Sequence, residues 1–281
     1  MNSFKLRASL AGLLALGASA AAQAADLPAP HMPMPAPVEF AGGWYLRGDV
    51  GVSSYDADKF NNPAITGPTY YGQDFGSGAF AGAGVGYQFT NWFRADVTGE
   101  YRFSTGFRVL DREHYFNGSY GITGHEKTKG EFDAGVFMVN GYFDLGTWYG
   151  ITPFVGAGVG YARLSMHGFE TSTLNIYDDP TIGTGVSGGT IRDSHKGNLA
   201  WALHAGLAYD VTPNVKLELA YRYLNLGDAT TGAVDCFCGT TYQGYKVKEL
   251  ASHDFKIGMR WMFGGPVAQP VSYDAPIIRK Y

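Results

Sequence analysis

The sequence predicts an all-β protein, an eight-stranded antiparallel up-and-down transmembrane β-barrel. Three observations carry that prediction. Segments of about ten residues alternate apolar and polar side chains, the period that sends successive residues to opposite faces of a strand. The connections between them alternate long and short. The 281 residues include 40 glycines and 15% aromatics but only 16% charged side chains, which suits closely spaced, twisted strands. No window approaches the run of about twenty apolar residues that a helical span needs.

The last segment, 253–263 (HDFKIGMRWMF), shows the pattern most clearly. His253, Phe255, Ile257, Met259, Trp261 and Phe263 fall on one side, and Asp254, Lys256, Gly258 and Arg260 on the other with Met262. Six large side chains in a row need a large apolar partner. A second sheet or a bilayer would supply it.

Ahead of the strands stands an export signal. Lys5 and Arg7 form a basic stretch, 10–16 (LAGLLAL) a short apolar core, and Ala22-Gln23-Ala24 a small-x-small cleavage site. Residues 1–24 are therefore expected to be a signal peptide. Its removal takes away two positive charges and moves the formal net charge from −4 to −6. Residues 25–42 are rich in proline, which supports neither ladder nor helix, and are expected to be an extended periplasmic linker.

The barrel is expected over 43–263. In 43–54, Trp44, Leu46, Val50 and Val52 oppose Arg47, Asp49 and Ser53. In 78–89, Ala79 to Phe89 oppose Gly82, Gly84, Gly86 and Gln88, and a tight connection follows at 90–92. In 93–103, Phe93, Val97, Tyr101 and Phe103 oppose Arg94, Asp96, Glu100 and Arg102. Strand 135–145 sets Phe137, Val139, Phe143 and Leu145 against Asn140, Tyr142 and Asp144, and strand 152–164 sets Val155, Val159 and Tyr161 against glycines. Strand 199–209 carries Leu199, Trp201, Leu203, Leu207 and Tyr209 on one face and His204 on the other. Strand 215–224 sets Val215, Leu217, Leu219, Tyr221 and Tyr223 against Lys216, Glu218 and Arg222. Segments 55–77, 104–130, 165–197 and 225–250 are polar and glycine-rich and are expected to be long loops; 90–92, 146–151 and 212–214 are tight turns.

Long loops at one end, tight turns at the other and an apolar face on every strand match a barrel in an outer membrane. Closing the sheet pairs every backbone group, as a bilayer requires. Aromatics gather where interface girdles belong: Phe89, Trp92, Phe143, Trp148, Trp261 and Phe263 at the short-turn end, and Tyr101, Phe103, Tyr161, Trp201 and Tyr221 near the other.

GAGVGY at 82–87 and again at 156–161, YDVTPNVKLELAYRYLNLG at 209–227 and the closing KIGMRWMF together resemble the small outer-membrane β-barrel family of alphaproteobacteria, the porin-like or opacity-type proteins. The resemblance covers 43–263 and implies residence in the cell outer membrane, among lipid and lipopolysaccharide. Lys256-x-Gly258-x-x-Trp261-x-Phe263 matches the terminal signal by which such proteins engage the barrel assembly machinery. Members commonly end at that phenylalanine; here 264–281 follows, proline-broken, and is expected to be a periplasmic tail.

Inward parity collects Arg47, Arg94, Arg102, Lys216, Arg222, Lys256 and Arg260 against Asp49, Asp96, Glu100, Asp144, Glu218 and Asp254. An eight-stranded barrel has room for little beyond its own side chains, so a salt-bridged plug is expected and a narrow porin-like channel for small solutes is the alternative. An outer-membrane enzyme is less in keeping. Ser252, His253 and Asp254 are adjacent, but adjacent strand residues point apart and cannot form a triad locally. Cys236 and Cys238 admit a local disulfide, a metal half-site or two unlinked thiols. No cofactor, metal or nucleic-acid motif is present. The expected role is a structural or surface-interaction scaffold whose loops face outward.

Overall fold

The computed structural model describes residues 42–61 and 69–263, with backbone alone over 57–61 and 69–75. The expected signal peptide, nearly all of the linker and the tail lie outside the described residues. Twelve strands follow: β1 (Gly43–Asn61), β2 (Thr69–Phe75), β3 (Ser77–Gln88), β4 (Phe93–Phe116), β5 (Gly121–Asp144), β6 (Ile151–Tyr177), β7 (Thr184–Ile191), β8 (Ser194–Thr212), β9 (Val215–Thr230), β10 (Val234–Cys236), β11 (Thr241–Tyr242) and β12 (Lys246–Phe263).

Eight of them close a ring in the order β1-β3-β4-β5-β6-β8-β9-β12, every neighbour antiparallel, with β12 returning to β1. The seam register runs from Trp44↔Phe263 to Asn61↔Lys246. The other four strands add to the long-hairpin end: β2 on β4, β7 on β6, β10 on β7 and β11 on β10.

Alternation sets the two faces. Along β12 every second residue from His253 to Phe263 is exposed and every residue between them is buried. The same holds for Leu217, Leu219 and Tyr221 against Glu218, Ala220 and Arg222 on β9. A continuous band of exposed apolar side chains therefore surrounds the ring, bounded at the short-turn end by Trp44, Phe89, Trp92, Phe143, Trp261 and Phe263. Trp92 stacks on Phe143 with ring centroids 5.9 Å apart. The short turns are held by threonines: Thr90 Oγ1 accepts from the Trp92 and Phe93 N–H groups, and Thr212 Oγ1 from those of Asn214 and Val215.

The four expected long loops are largely strand instead. The ladder of β4 with β5 continues to Phe116↔Gly121, and that of β5 with β6 to Ile122↔Tyr177. These hairpins rise past the lipid-facing band and pack inside on Phe107, Val109, Phe132, Phe169, Ile191 and Val247. That apolar tier continues down into the ring through Val136, Leu164, Leu224 and Leu226. The barrel is thus filled in two tiers, apolar at the long-hairpin end and charged below.

Because the hairpins are laddered, few peptide bonds in them can open to a protease. External protease on intact cells is expected to cut at the tips, 117–120 and 178–183, to spare 105–116, and to leave the 212–215 turn untouched. Mass analysis of released fragments checks this; cleavage at 212–215 on intact cells would reverse the topology.

Candidate functional site

The inward positions of β1, β4, β5, β9 and β12 bring the predicted charges into one network. Arg47 forks onto Asp49 with two 2.8 Å bonds and reaches Asp96 at 2.7 Å. Glu218 stands among Arg47, Arg94 and Arg260 at 3.3, 3.3 and 3.1 Å. Arg94 also pairs with Asp144 at 3.2 Å, its guanidinium 4.2 Å from the centre of the Tyr142 ring. One layer higher, Arg222 grips both oxygens of Glu100 at 2.7 and 2.8 Å and donates to Asp254 at 2.8 Å. Arg102 donates to Asp254, Glu100, Ser53, Ser252 and Tyr55 at 2.6–3.1 Å. Lys256 lies 3.6 Å from Asp49.

Lys216 is the exception among the predicted residues. It pairs with Asp210 at the rim and stays half-buried. Position 216 follows directly on the 212–215 turn, so inward parity points its flexible ammonium to the barrel's edge, where water reaches. Without it the lumen holds six cations (Arg47, Arg94, Arg102, Arg222, Lys256, Arg260) against six anions (Asp49, Asp96, Glu100, Asp144, Glu218, Asp254), all within the network. Neutrality of this kind is what buried charges require, since an unpaired one costs several kcal/mol.

Residues outside the predicted set complete the packing. Tyr45 donates to Asp96 at 3.0 Å, Asn140 donates to Asp96 at 2.9 Å, and His204 lies 3.3 Å from Asn140. All share the inward parity of their charged neighbours; only their lack of formal charge left them out. A void bounded by Asp49, Glu100, Asn140, His204, Arg222 and Lys256 measures about 10 Å³, enough for about one water.

The proposed assembly motif divides between faces. Lys256 and Gly258 are inward and buried, while Trp261 and Phe263 are outward at the girdle. A Cβ at Gly258 would meet the Asp49 carboxylate, which Arg47 and Lys256 hold, so a larger residue there would displace that pair. The serine, histidine and aspartate at 252–254 separate as strand geometry demands: Ser252 and Asp254 both contact Arg102, and His253 lies outside against the Tyr221 hydroxyl at 2.6 Å. Cys236 and Cys238 are joined as a disulfide. Among the described residues no group of metal-ligating side chains is present.

A second site opens at the long-hairpin mouth, above the lipid-facing band. A cavity of about 500 Å³ is lined by Glu113, Tyr115, Glu126, Thr171, Tyr242 and Tyr245, among others. Nothing in the sequence pattern marks it, because its walls come from β4, β5, β6, β7, β10 and β11 and from residues beside them. Beneath it, Asp111 is buried and stands opposite Glu126 in the β4–β5 ladder. Burial, with Glu126 and Glu113 alongside, pushes the Asp111 carboxyl up to about 7.

A carboxyl with a raised folded-state pKa favours folding in its protonated form. The contribution is full below the unfolded value of 3.8 and is lost as pH rises through about 7. The unfolding free energy is expected to fall between pH 5 and pH 8 by about 2 kcal/mol, allowing for screening by water in the mouth. Asp111→Asn should flatten that slope. An unchanged slope in the variant would refute the assignment.

A closed antiparallel ring, an apolar outer band with an aromatic girdle and a neutralised polar lumen define an outer-membrane β-barrel. The chain belongs to the outer membrane protein beta-barrel domain family, whose profile matches residues 8–263. It is 32% identical to an uncharacterised Brucella abortus protein over 239 residues, 76% of this chain and 79% of that one. The outer membrane protein PagN of Salmonella typhimurium is 27% identical over 236 residues, 79% of this chain and 90% of PagN. A putative adhesin of Rickettsia bellii is 27% identical over 219 residues, 78% of this chain and 87% of the adhesin. The protein is an outer-membrane surface protein of the Gram-negative cell envelope.

Proposed function

We propose that this barrel is a surface-interaction scaffold and not a conduit. The observation that carries the reading is the filled lumen. Six cations ion-paired with six anions occupy the lower tier and apolar side chains the upper one. A porin of the same fold would keep a water column through those layers.

What the protein then offers to its surroundings is the rigid hairpin extension. On its outer face Arg108 sits opposite Lys129, and Arg112 opposite His125, with Lys127 between them, all on β4 and β5. Glu170 pairs with Lys129 and is the one carboxylate at these positions on β6. Four cations stand on this face with Glu170, the exposed Glu131 and, opposite Arg108 on β2, Asp74, a small positive excess that suits an anionic surface. That a relative of similar span is named a putative adhesin supports an adhesive role. On this reading the lipid bilayer and lipopolysaccharide surround the band, and the barrel assembly machinery engages the last strand.

The test pairs two measurements. Planar-bilayer recording of the refolded protein should show no steady current. Cells displaying the barrel should adhere to an anionic surface, and changing Arg108, Arg112, Lys127 and Lys129 to glutamate should abolish that adhesion without changing the folded yield. Steady conductance, together with adhesion indifferent to the four changes, would favour the channel.

A further inference from the structure

The cavity at the long-hairpin mouth differs in electrostatic character from the lumen below it. Glu126 on β5 forms its floor. Its Oε1 accepts from Thr171 Oγ1 at 2.5 Å, from Thr128 Oγ1 at 3.4 Å and from the Tyr245 hydroxyl. All three donors are neutral, so they hold the carboxylate in place without cancelling its charge. Asp111 stands directly across the β4–β5 ladder, buried, with its own backbone N–H as donor. Glu113, half-buried, faces the same space.

None of the lining residues is a lysine or an arginine. In the lumen every carboxylate meets a cation; here Glu113 and Glu126 line the cavity, with Asp111 opposite Glu126 in the ladder, and no lysine or arginine joins them. Leaving a buried carboxylate uncompensated is costly, so a cation from outside the chain would find a site already paid for. The walls specify what kind of cation. Tyr115, Tyr242 and Tyr245 line the same cavity, and aromatic faces attract organic ammonium and guanidinium groups. A volume of about 500 Å³ falls in the range of small-ligand pockets. A bare metal ion fits less well, since no set of three or more metal-ligating side chains converges among the described residues.

We propose that the mouth binds an organic cation, an ammonium or guanidinium group seated on Glu126 and Glu113 between the tyrosines. The group arrives either on a free polyamine or on a lysine or arginine side chain of a partner chain. This goes beyond the adhesive reading and does not depend on it, because the basic outer face and the cavity share no residue that either uses.

Calorimetric titration of the refolded full chain in lipid nanodiscs tests it, with spermidine as probe and an uncharged diol of equal length as control. Spermidine should bind and the diol should not. Glu126→Gln keeps an oxygen for the three donors while removing the charge, so the fold should survive and spermidine affinity should drop at least about tenfold. Folding is read by heat-modifiability on a gel. Should that variant fail to fold, Glu113→Gln at the rim carries the expectation, with a loss of at least about threefold. Equal affinity in a folded variant, or binding of the diol as tight as spermidine, overturns the proposal. So does calcium chloride binding with spermidine excluded. A second titration, with acetyl-Gly-Lys-Gly-amide, separates the sources. Tighter binding than spermidine assigns the cation to a partner chain, and weaker binding assigns it to a free amine.

Discussion

Replacing Arg102 with alanine is expected to destabilise the barrel by about 3–5 kcal/mol, the usual result of removing one partner from a buried ion pair. Arg102 is fully buried on β4, and its guanidinium contacts Asp254 and Ser252 on β12, Ser53 and Tyr55 on β1, and Glu100 on its own strand. Truncation leaves the Asp254 carboxylate with Arg222 alone and opens a gap that water can enter only from the ends. Arg102→Lys should recover only part of the loss, because one ammonium cannot serve acceptors on all five residues that the guanidinium fork reaches. Denaturant unfolding in lipid vesicles measures both. An Arg102→Ala barrel as stable as the parent would mean that water already bathes this layer, and the filled-lumen reading would fall with it.

On the opposite face, Leu219→Arg is expected to cost about 2–4 kcal/mol, the penalty for arginine near the bilayer midplane. Leu219 sits mid-strand on β9, 58% exposed, between the equally outward Leu207 and Ile257. Exposure alone does not make the prediction; lipid does. Val186 on β7 is more exposed, at 80%, but belongs to the hairpin extension beyond the band, so Val186→Arg should cost about 0–1 kcal/mol. Equal costs at the two positions would place both in one solvent and refute the membrane assignment.

The ring was readable from residue parity, and most of the extension was not, because breaks in the alternation interrupt it. Strict alternation predicts a strand only while the period holds. On β4 both Phe103 and Ser104 are exposed, and the ladder shifts between Arg102 and Thr105. On β6 the alternation breaks at Gly168, which adopts a positive φ of 63°. On β9 it breaks at Gly227 and on β12 beside Glu249, both with positive φ. A bulge puts two residues opposite one and reverses the faces beyond it. The expected loops 104–130 and 225–250 begin or end within a residue or two of such a break, and 165–197 begins just before one. The site followed the same rule. Parity placed every charge inward, Lys216 included, but does not show which partner a flexible side chain takes, here Asp210 across the β8–β9 turn, which holds Lys216 at the rim.

The network also bears on how the chain comes to be closed. Arg102 joins β4 to β1 and β12, Arg47 joins β1 to β4 and β9, and Lys256 reaches from β12 to Asp49 on β1. The early strands pair most of their charges among themselves, but the partner sets of Arg102, Arg47 and Asp49 are complete only when β9 and β12 are in place. A seam slipped by one residue would turn Asp254, Lys256 and Arg260 toward lipid. One slipped by two would keep them inside opposite the wrong partners. Pairing in the lumen therefore favours the observed register over its neighbours, because a slip in either direction turns charges toward lipid or takes buried ones from their partners.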